Sequence, residues 1–207
     1  MTVNGTIAGL VLAGGLSRRM GGGEKSLRLL AGRSLIDRVI ERLAPQVTAL
    51  AISANTDPMV HAAHGLPVLA DLAPGRAGPL AGIATGLDWA SGLPGVTHLV
   101  TAATDAPFLP RDLVARFVAT APPDRLVLAR SADGRHPVFG LWPLGLRDDL
   151  FEWLATSPTM KVFAWVERHD PLWCDFEPEA AGGLDPFFNA NTPEDLAVAE
   201  DRLRATR

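Results

Sequence analysis

Residues 7–25 read IAGLVLAGGLSRRMGGGEK, and the fold is decided at the point where the apolar run meets the first glycine pair. Residues 7–12 are short and continuously apolar, the pattern of a strand buried on both faces in a parallel sheet. The run stops at Ala13-Gly14-Gly15 and passes into a segment with further glycines (Gly21, Gly22, Gly23) and the cations Arg18, Arg19 and Lys25. Open α/β sheets place their ligands in loops that leave a strand end in this way. Glycine lets backbone amides approach an anion without Cβ interference, and arginine can grip a phosphate through parallel hydrogen bonds. A solvated surface loop would account for the glycines alone, but not for the cations grouped at a strand end. A phosphate-binding loop is expected. It is neither a Walker loop, because no Gly-Lys pair occurs anywhere in the chain, nor a dinucleotide fingerprint, because G-x-G-x-x-G is absent.

Outward from this loop, short apolar runs recur at 49–53, 67–70, 98–102, 126–129 and 138–142. Helix-period segments separate the earlier ones. In 34–43, Leu35, Ile36, Val39, Ile40 and Leu43 share a face, and Ser34 with Asp37 resembles a capping box. Segment 80–90 follows Pro79, and 110–119 opens on Pro110. Strands alternating with helices predict an α/β fold of three layers with right-handed crossovers. Nearer the C-terminus, 150–154 and 160–166 read as short helices and 172–176 as a strand, and Thr192-Pro193-Glu194-Asp195 caps a last helix ending near Arg204. No repeat or long linker divides the chain, so 1–207 is read as one domain.

Composition narrows the class. The 207 residues are 47% hydrophobic and 20% charged, enough to bury a full core. The net charge of -4 speaks against a broad grip on nucleic acid. Cys174 is the only cysteine, which excludes an internal disulfide and fits a reducing compartment. Neither a signal peptide nor a membrane span is visible, so a cytoplasmic protein is expected, with no membrane or nucleic-acid partner.

Asp105 follows the run 98–102 and precedes Ala106-Pro107, which sets a carboxylate at the carboxyl edge of the sheet. Asp71 follows the run 67–70 in the same manner. Mg²⁺ favours one or two carboxylates together with substrate phosphates and water, a set to which a carboxylate at this edge can contribute. Each aspartate could equally cap a helix or close a turn. Asn189 and Asn191 stand at alternating positions before the last helix, which puts both amides on one side of an extended stretch. Arg135-His136-Pro137-Val138 precedes a strand. His61, His64, His98 and His169 have no metal-ligand spacing.

The loop at 12–25, GRAGPLAG at 75–82 and FNANTPEDL at 188–196 together resemble the signatures of the nucleotidyltransferases that activate sugar phosphates, isoprenoid precursors and the molybdenum cofactor. The chain is most similar to the molybdenum cofactor guanylyltransferases. That resemblance implies a Rossmann-like nucleotidyltransferase fold, with a mostly parallel mixed sheet flanked by helices. It also implies a nucleotide site formed by Leu12, Ala13, Gly14, Gly15, Lys25, Ser53, Asn55, Asp71, Gly78, Gly82 and Asp105, and an acceptor site at Asn189, Asn191 and His136. Lys25, Arg19 and Asp105 take the catalytic roles, with Mg²⁺ on Asp105. The implied reaction moves GMP from GTP to the terminal phosphate of molybdopterin or its molybdenum form and releases pyrophosphate. Molybdoenzyme chaperones or molybdopterin-loading proteins are the implied protein partners. Two departures stand out: Glu24 where the family usually has aspartate, and Ser53 where it often has asparagine. The first loop serves every branch alike. It leaves open a molybdopterin cytidylyltransferase, a sugar-phosphate nucleotidyltransferase and a non-catalytic cofactor carrier, whereas Asn189 and Asn191 favour the molybdenum branch and the retained Lys25 and Asp105 favour an enzyme.

Overall fold

The computed structural model describes residues 5–14, 24–72, 78–120, 122–178 and 183–205. In chain order the elements are β1 (Thr6–Leu12), β2 (Leu29–Leu30), β3 (Arg33–Ser34), α1 (Leu35–Leu43), β4 (Ala49–Ser53), β5 (Val68–Leu69) and α2 (Pro79–Ser91). They continue as β6 (Val96–Ala103), α3 (Leu113–Thr120), β7 (Val127–Ser131), β8 (Gly134–Pro143), α4 (Arg147–Thr156), α5 (Val162–Val166), β9 (Leu172–Asp175) and α6 (Pro193–Ala205).

Seven of these strands form one sheet in the order β5-β4-β1-β6-β8-β7-β9. β1 lies between β4 and β6 and runs parallel to both, and every residue from Ala8 to Leu12 is buried. The apolar run needs this double cover, since one exposed face would demand alternation. β8 alone runs antiparallel to its neighbours, β6 and β7. The sheet is therefore mixed and mostly parallel, as expected.

Helices cover both faces. Ile36, Val39 and Leu43 of α1 join Leu113, Val114 and Phe117 of α3 against Val11, Ile52, Val100 and Leu141. On the other face, Leu80, Ile83, Ala84 and Leu87 of α2 pack with Leu150 and Trp165 against Leu10, Leu99, Leu128 and Trp142. Each large apolar side chain buried here contributes roughly 1.5–3 kcal/mol. α1 starts where expected because Ser34 Oγ accepts from the Asp37 amide at 3.1 Å and donates to Asp37 Oδ2 at 2.5 Å.

Several boundaries move. β8 begins at Gly134, so Arg135, His136 and Pro137 lie inside the strand and do not precede it. α3 begins at Leu113, leaving Pro110 outside. The β2–β3 hairpin has no counterpart in the sequence reading. Its turn, Ala31 (φ 48°) and Gly32 (φ 80°), is left-handed at both central residues, the geometry that matches strand twist. Glu200 Oε1 on α6 accepts from the Ala31 amide at 3.1 Å and holds that turn. No helix among the described residues is long and apolar enough to cross a membrane.

Candidate active site

The carboxyl ends of β1, β4 and β6 and the first half of β8 open at one edge of the sheet. A cleft of about 1080 Å³ lies along this edge. Its floor is tied together by the backbone: the Ala13 amide donates to Ser53 O at 2.9 Å and the Thr104 amide to Leu12 O at 3.2 Å. Leu12, Ala13 and Gly14 therefore enter the cleft at a fixed height. Gly15 and Arg19 lie outside the described residues.

Lys25 opens a short 3-10 turn, Lys25–Leu27. Its ammonium donates to Asp105 Oδ2 at 2.9 Å and also to Asn191 Oδ1. These three residues are separated by 80 and 166 positions in the chain, and the two side chains of the ion pair are only 17% and 25% exposed. The Ala190 amide donates to Asp105 O at 2.8 Å, so the segment before α6 is pinned to the Asp105 loop by main chain as well as side chain. Asn191 and Asn189 both line the cleft. They do so from a tight turn, in which the Asn191 amide reaches Asn189 O at 3.1 Å, and not from the extended stretch expected.

Asp71 and Asn55 form the other end. Asn55 Nδ2 donates to Asp71 Oδ2 at 2.7 Å, and its Oδ1 accepts from the Asp71 amide at 2.9 Å. The Asn55 amide thus clasps Asp71 through both its carboxylate and its backbone N–H. Beside them α2 begins. Gly78 precedes it with φ 133°, a backbone that only glycine adopts without strain. Gly82 lies so close to β4 that a Cβ there would stand 2.6 Å from Ser53 Oγ and 3.0 Å from Leu12 Cδ2. Ser53 is buried against this helix. Leu12, Ser53, Asn55, Asp71, Gly78, Gly82 and Asp105 therefore share one cleft wall and floor.

The model for the MobA-like NTP transferase domain matches residues 9–172. The chain belongs to this family. It is 50% identical over 201 residues to a molybdenum cofactor guanylyltransferase of Mesorhizobium japonicum, covering 96% of this chain and 97% of the relative. A protein of the same name from a Bradyrhizobium species is 51% identical over 202 residues, covering 96% and 93%. The solved structure of molybdopterin-guanine dinucleotide biosynthesis protein A from Archaeoglobus fulgidus superposes with a TM-score of 0.76 at 24% identity, covering 97% of this chain and all of that one. The resemblance read from the three motifs is thereby borne out, and so is the fold.

In this MobA-like chain His136 lies where β7 and β8 lose register. Leu128 pairs with Gly140, but Ala129 pairs with His136, so Pro137, Val138 and Phe139 fall in the break. Proline has no amide to give a ladder, and the bulge turns this part of β8 into the cleft. Thr101 Oγ1 fastens it, donating to Val138 O at 2.7 Å while accepting from Trp142 Nε1 at 2.8 Å. His136 Nε2 shares a hydrogen bond with Ser131 Oγ at 2.6 Å, and its ring packs 4.6 Å from that of Phe187. Burial holds its pKa below the usual histidine range, which keeps the ring neutral and suits a wall better than a proton carrier.

Burial likewise pushes the Glu24 carboxyl up from its ordinary value. Glu24, Asp71 and Asp105 set negative charge into the cleft against Lys25 and Arg135. Arg135, given no site role from the sequence, and Thr56, not singled out there, both line the cleft. Thr56 follows Asn55 directly, whereas Arg135 reaches the cleft through the pairing of β8 with β7, which no local pattern reports. No group of three or more histidine, cysteine or acidic side chains suited to a metal occurs among the described residues. The four histidines set aside above carry no such cluster.

Proposed function

We propose that this chain transfers GMP from GTP to the terminal phosphate of molybdopterin, or of its molybdenum-bearing form, with release of pyrophosphate. The observation that carries the reading is the convergence of Lys25, Asp105 and Asn191 at the strand-end cleft, in a chain half identical to proteins named molybdenum cofactor guanylyltransferase. The reading takes the reaction to be cytoplasmic and its product to pass to proteins that load molybdoenzymes.

The acceptor phosphate is already a nucleophile at neutral pH, so the protein need supply no general base. Catalysis reduces to alignment and charge neutralisation. Leu12, Ala13 and Gly14 bring backbone to the phosphates, and Asp71, clasped by Asn55, meets the rest of the nucleotide. The residues fit Mg²⁺: Asp105 offers a part-exposed carboxylate that already pairs with a cation, and Mg²⁺ needs only one or two carboxylates beside phosphate and water. Asp105 would hold the ion, which when bound supplies neutralisation of charge on the phosphoryl oxygens. Lys25 exchanges its pairing with Asp105 for the triphosphate and, with Arg19, stabilises charge moving onto pyrophosphate. Asn191 holds the ammonium in line during that exchange.

Incubation with each nucleoside triphosphate, Mg²⁺ and molybdopterin tests the reading, with pyrophosphate and dinucleotide both measured. GTP is expected to turn over. Turnover of CTP but not GTP would overturn the base assignment, and no pyrophosphate with any nucleotide would overturn the reaction.

A further inference from the structure

The sheet order sets Asp71 and Asn55 beyond β4 at one end of the cleft and β8 at the other, past β6 and Asp105. Arg135 is the one arginine among the described residues lining this cleft. Its strand neighbour Arg130 is neutralised by Asp175, through Nε to Oδ1 at 2.5 Å and Nη2 to Oδ2 at 2.7 Å. Arg135 has no carboxylate partner among the described residues. Its guanidinium lies instead 4.8 Å over the ring of Trp173. The register explains this placement. Arg135 pairs with Arg130, and Arg130 with Asp175, so all three share a face that Trp173, two residues before Asp175, shares as well.

A guanidinium stacked on an aromatic ring has its face covered and its edge donors free, in the fork that matches phosphate oxygens. The strand beneath it is held by the pairing with Arg130, by Ser131 on His136 and by Thr101 on Val138. Lys25, by contrast, is already engaged with Asp105 and Asn191. We propose that Arg135, oriented by Trp173, binds the phosphate monoester of the acceptor at the β8 end of the cleft. This rests on the reaction proposed above and adds to it the residue that receives the nucleophile.

The test measures affinity for molybdopterin and, separately, for its phosphatase-treated form, in the wild type, Arg135→Met and Arg135→Lys. GTP affinity is measured on the same samples. Arg135→Met is expected to weaken molybdopterin binding about 10- to 100-fold, the loss typical of a hydrogen-bonded charge contact. Arg135→Lys restores part of it, and GTP affinity stays unchanged, which also shows that the variants are folded. With the dephosphorylated form, wild type and Arg135→Met should bind alike. Equal molybdopterin affinity in wild type and Arg135→Met would overturn the proposal, as would an equal loss with the dephosphorylated form. If the wild type binds GTP but not molybdopterin, the acceptor assignment itself fails and Arg135 falls with it. Normal wild-type turnover beside an unaffected Arg135→Met sinks the Arg135 proposal alone.

Discussion

An ammonium carries three donors, and Lys25 directs two of them to Asp105 and Asn191. Its removal leaves Asp105 without its cation, but that carboxylate is part-exposed and can be hydrated, so the fold should tolerate the change. Lys25→Ala is therefore expected to keep the melting temperature near that of the wild type and to lower the single-turnover transfer rate about 10²–10³-fold. A loss of less than tenfold would remove Lys25 from the chemistry. Asn55 poses a different case, because both of its polar atoms are taken up by Asp71. Asn55→Ala frees the Asp71 carboxylate to turn, and GTP affinity should fall about tenfold, on the scale of a hydrogen bond to a charged group. The rate at saturating GTP should hold. A loss in that rate with unchanged GTP affinity would contradict the clasp. The position of Asp105 was legible in the sequence because a strand-end carboxylate carries meaning, and Lys25 was picked out by the glycine- and arginine-rich loop that precedes it. The direction in which the Asn55 amide turns is set by a neighbour 16 residues away, which no local pattern reports.

At the scale of elements, α6 is fastened to the cleft by its cap. Asp195 Oδ2 accepts from the Asn191 and Thr192 amides, each at 2.8 Å, and Thr192 Oγ1 accepts from the Asp195 amide at 3.1 Å. Asp195→Ala removes one side of this reciprocal cap and should cost about 0.5–2 kcal/mol of stability. It also loosens the residue that holds Lys25. Denaturant titration should show the loss of stability, and transfer assays well below the unfolding range should show a further fall in rate. A variant that loses stability with full activity would make the cap purely structural. The cap was readable from Thr192-Pro193-Glu194-Asp195 because capping is a local contract. β4 was readable to the residue, at 49–53, because both of its faces are covered, Leu50 and Ile52 entering one core cluster and Ala51 the other. β8 was not. Its residues from Gly134 to His136 pair with β7 alone, and only from Gly140 onward does it also meet β6, so its first half shows no apolar run.

Across the whole molecule, periodicity conveyed three layers but not strand order. Nothing in the run 138–142 says that it enters between β6 and β7 in the opposite direction, because reversing a doubly buried strand leaves its apolar content unchanged. The same burial has a consequence for pH. His61, His98 and His136 all have pKa values held below 6.5, with desolvation the leading cause in each. His98 is tied from Nε2 to Pro123 O at 2.7 Å, and a carbonyl only accepts, so that nitrogen carries the proton. In the unfolded chain these rings protonate near pH 6.5, whereas in the fold they stay neutral to lower pH. Below pH 6.5 the unfolded state binds more protons, and stability falls with pH until the folded values are passed. Glu24, whose pKa is raised above 4.5, acts in the opposite sense. The lowered carboxylates Glu41 and Asp175 respond below 4.5 and 3.8 respectively, and both are surface-exposed, so they add little. Denaturant midpoints should therefore drop steadily from pH 7 to about pH 5, and His98→Gln, which keeps a donor for Pro123 O without a titrating ring, should flatten that slope. A midpoint that stays level or rises on acidification would mean that these rings are hydrated in solution.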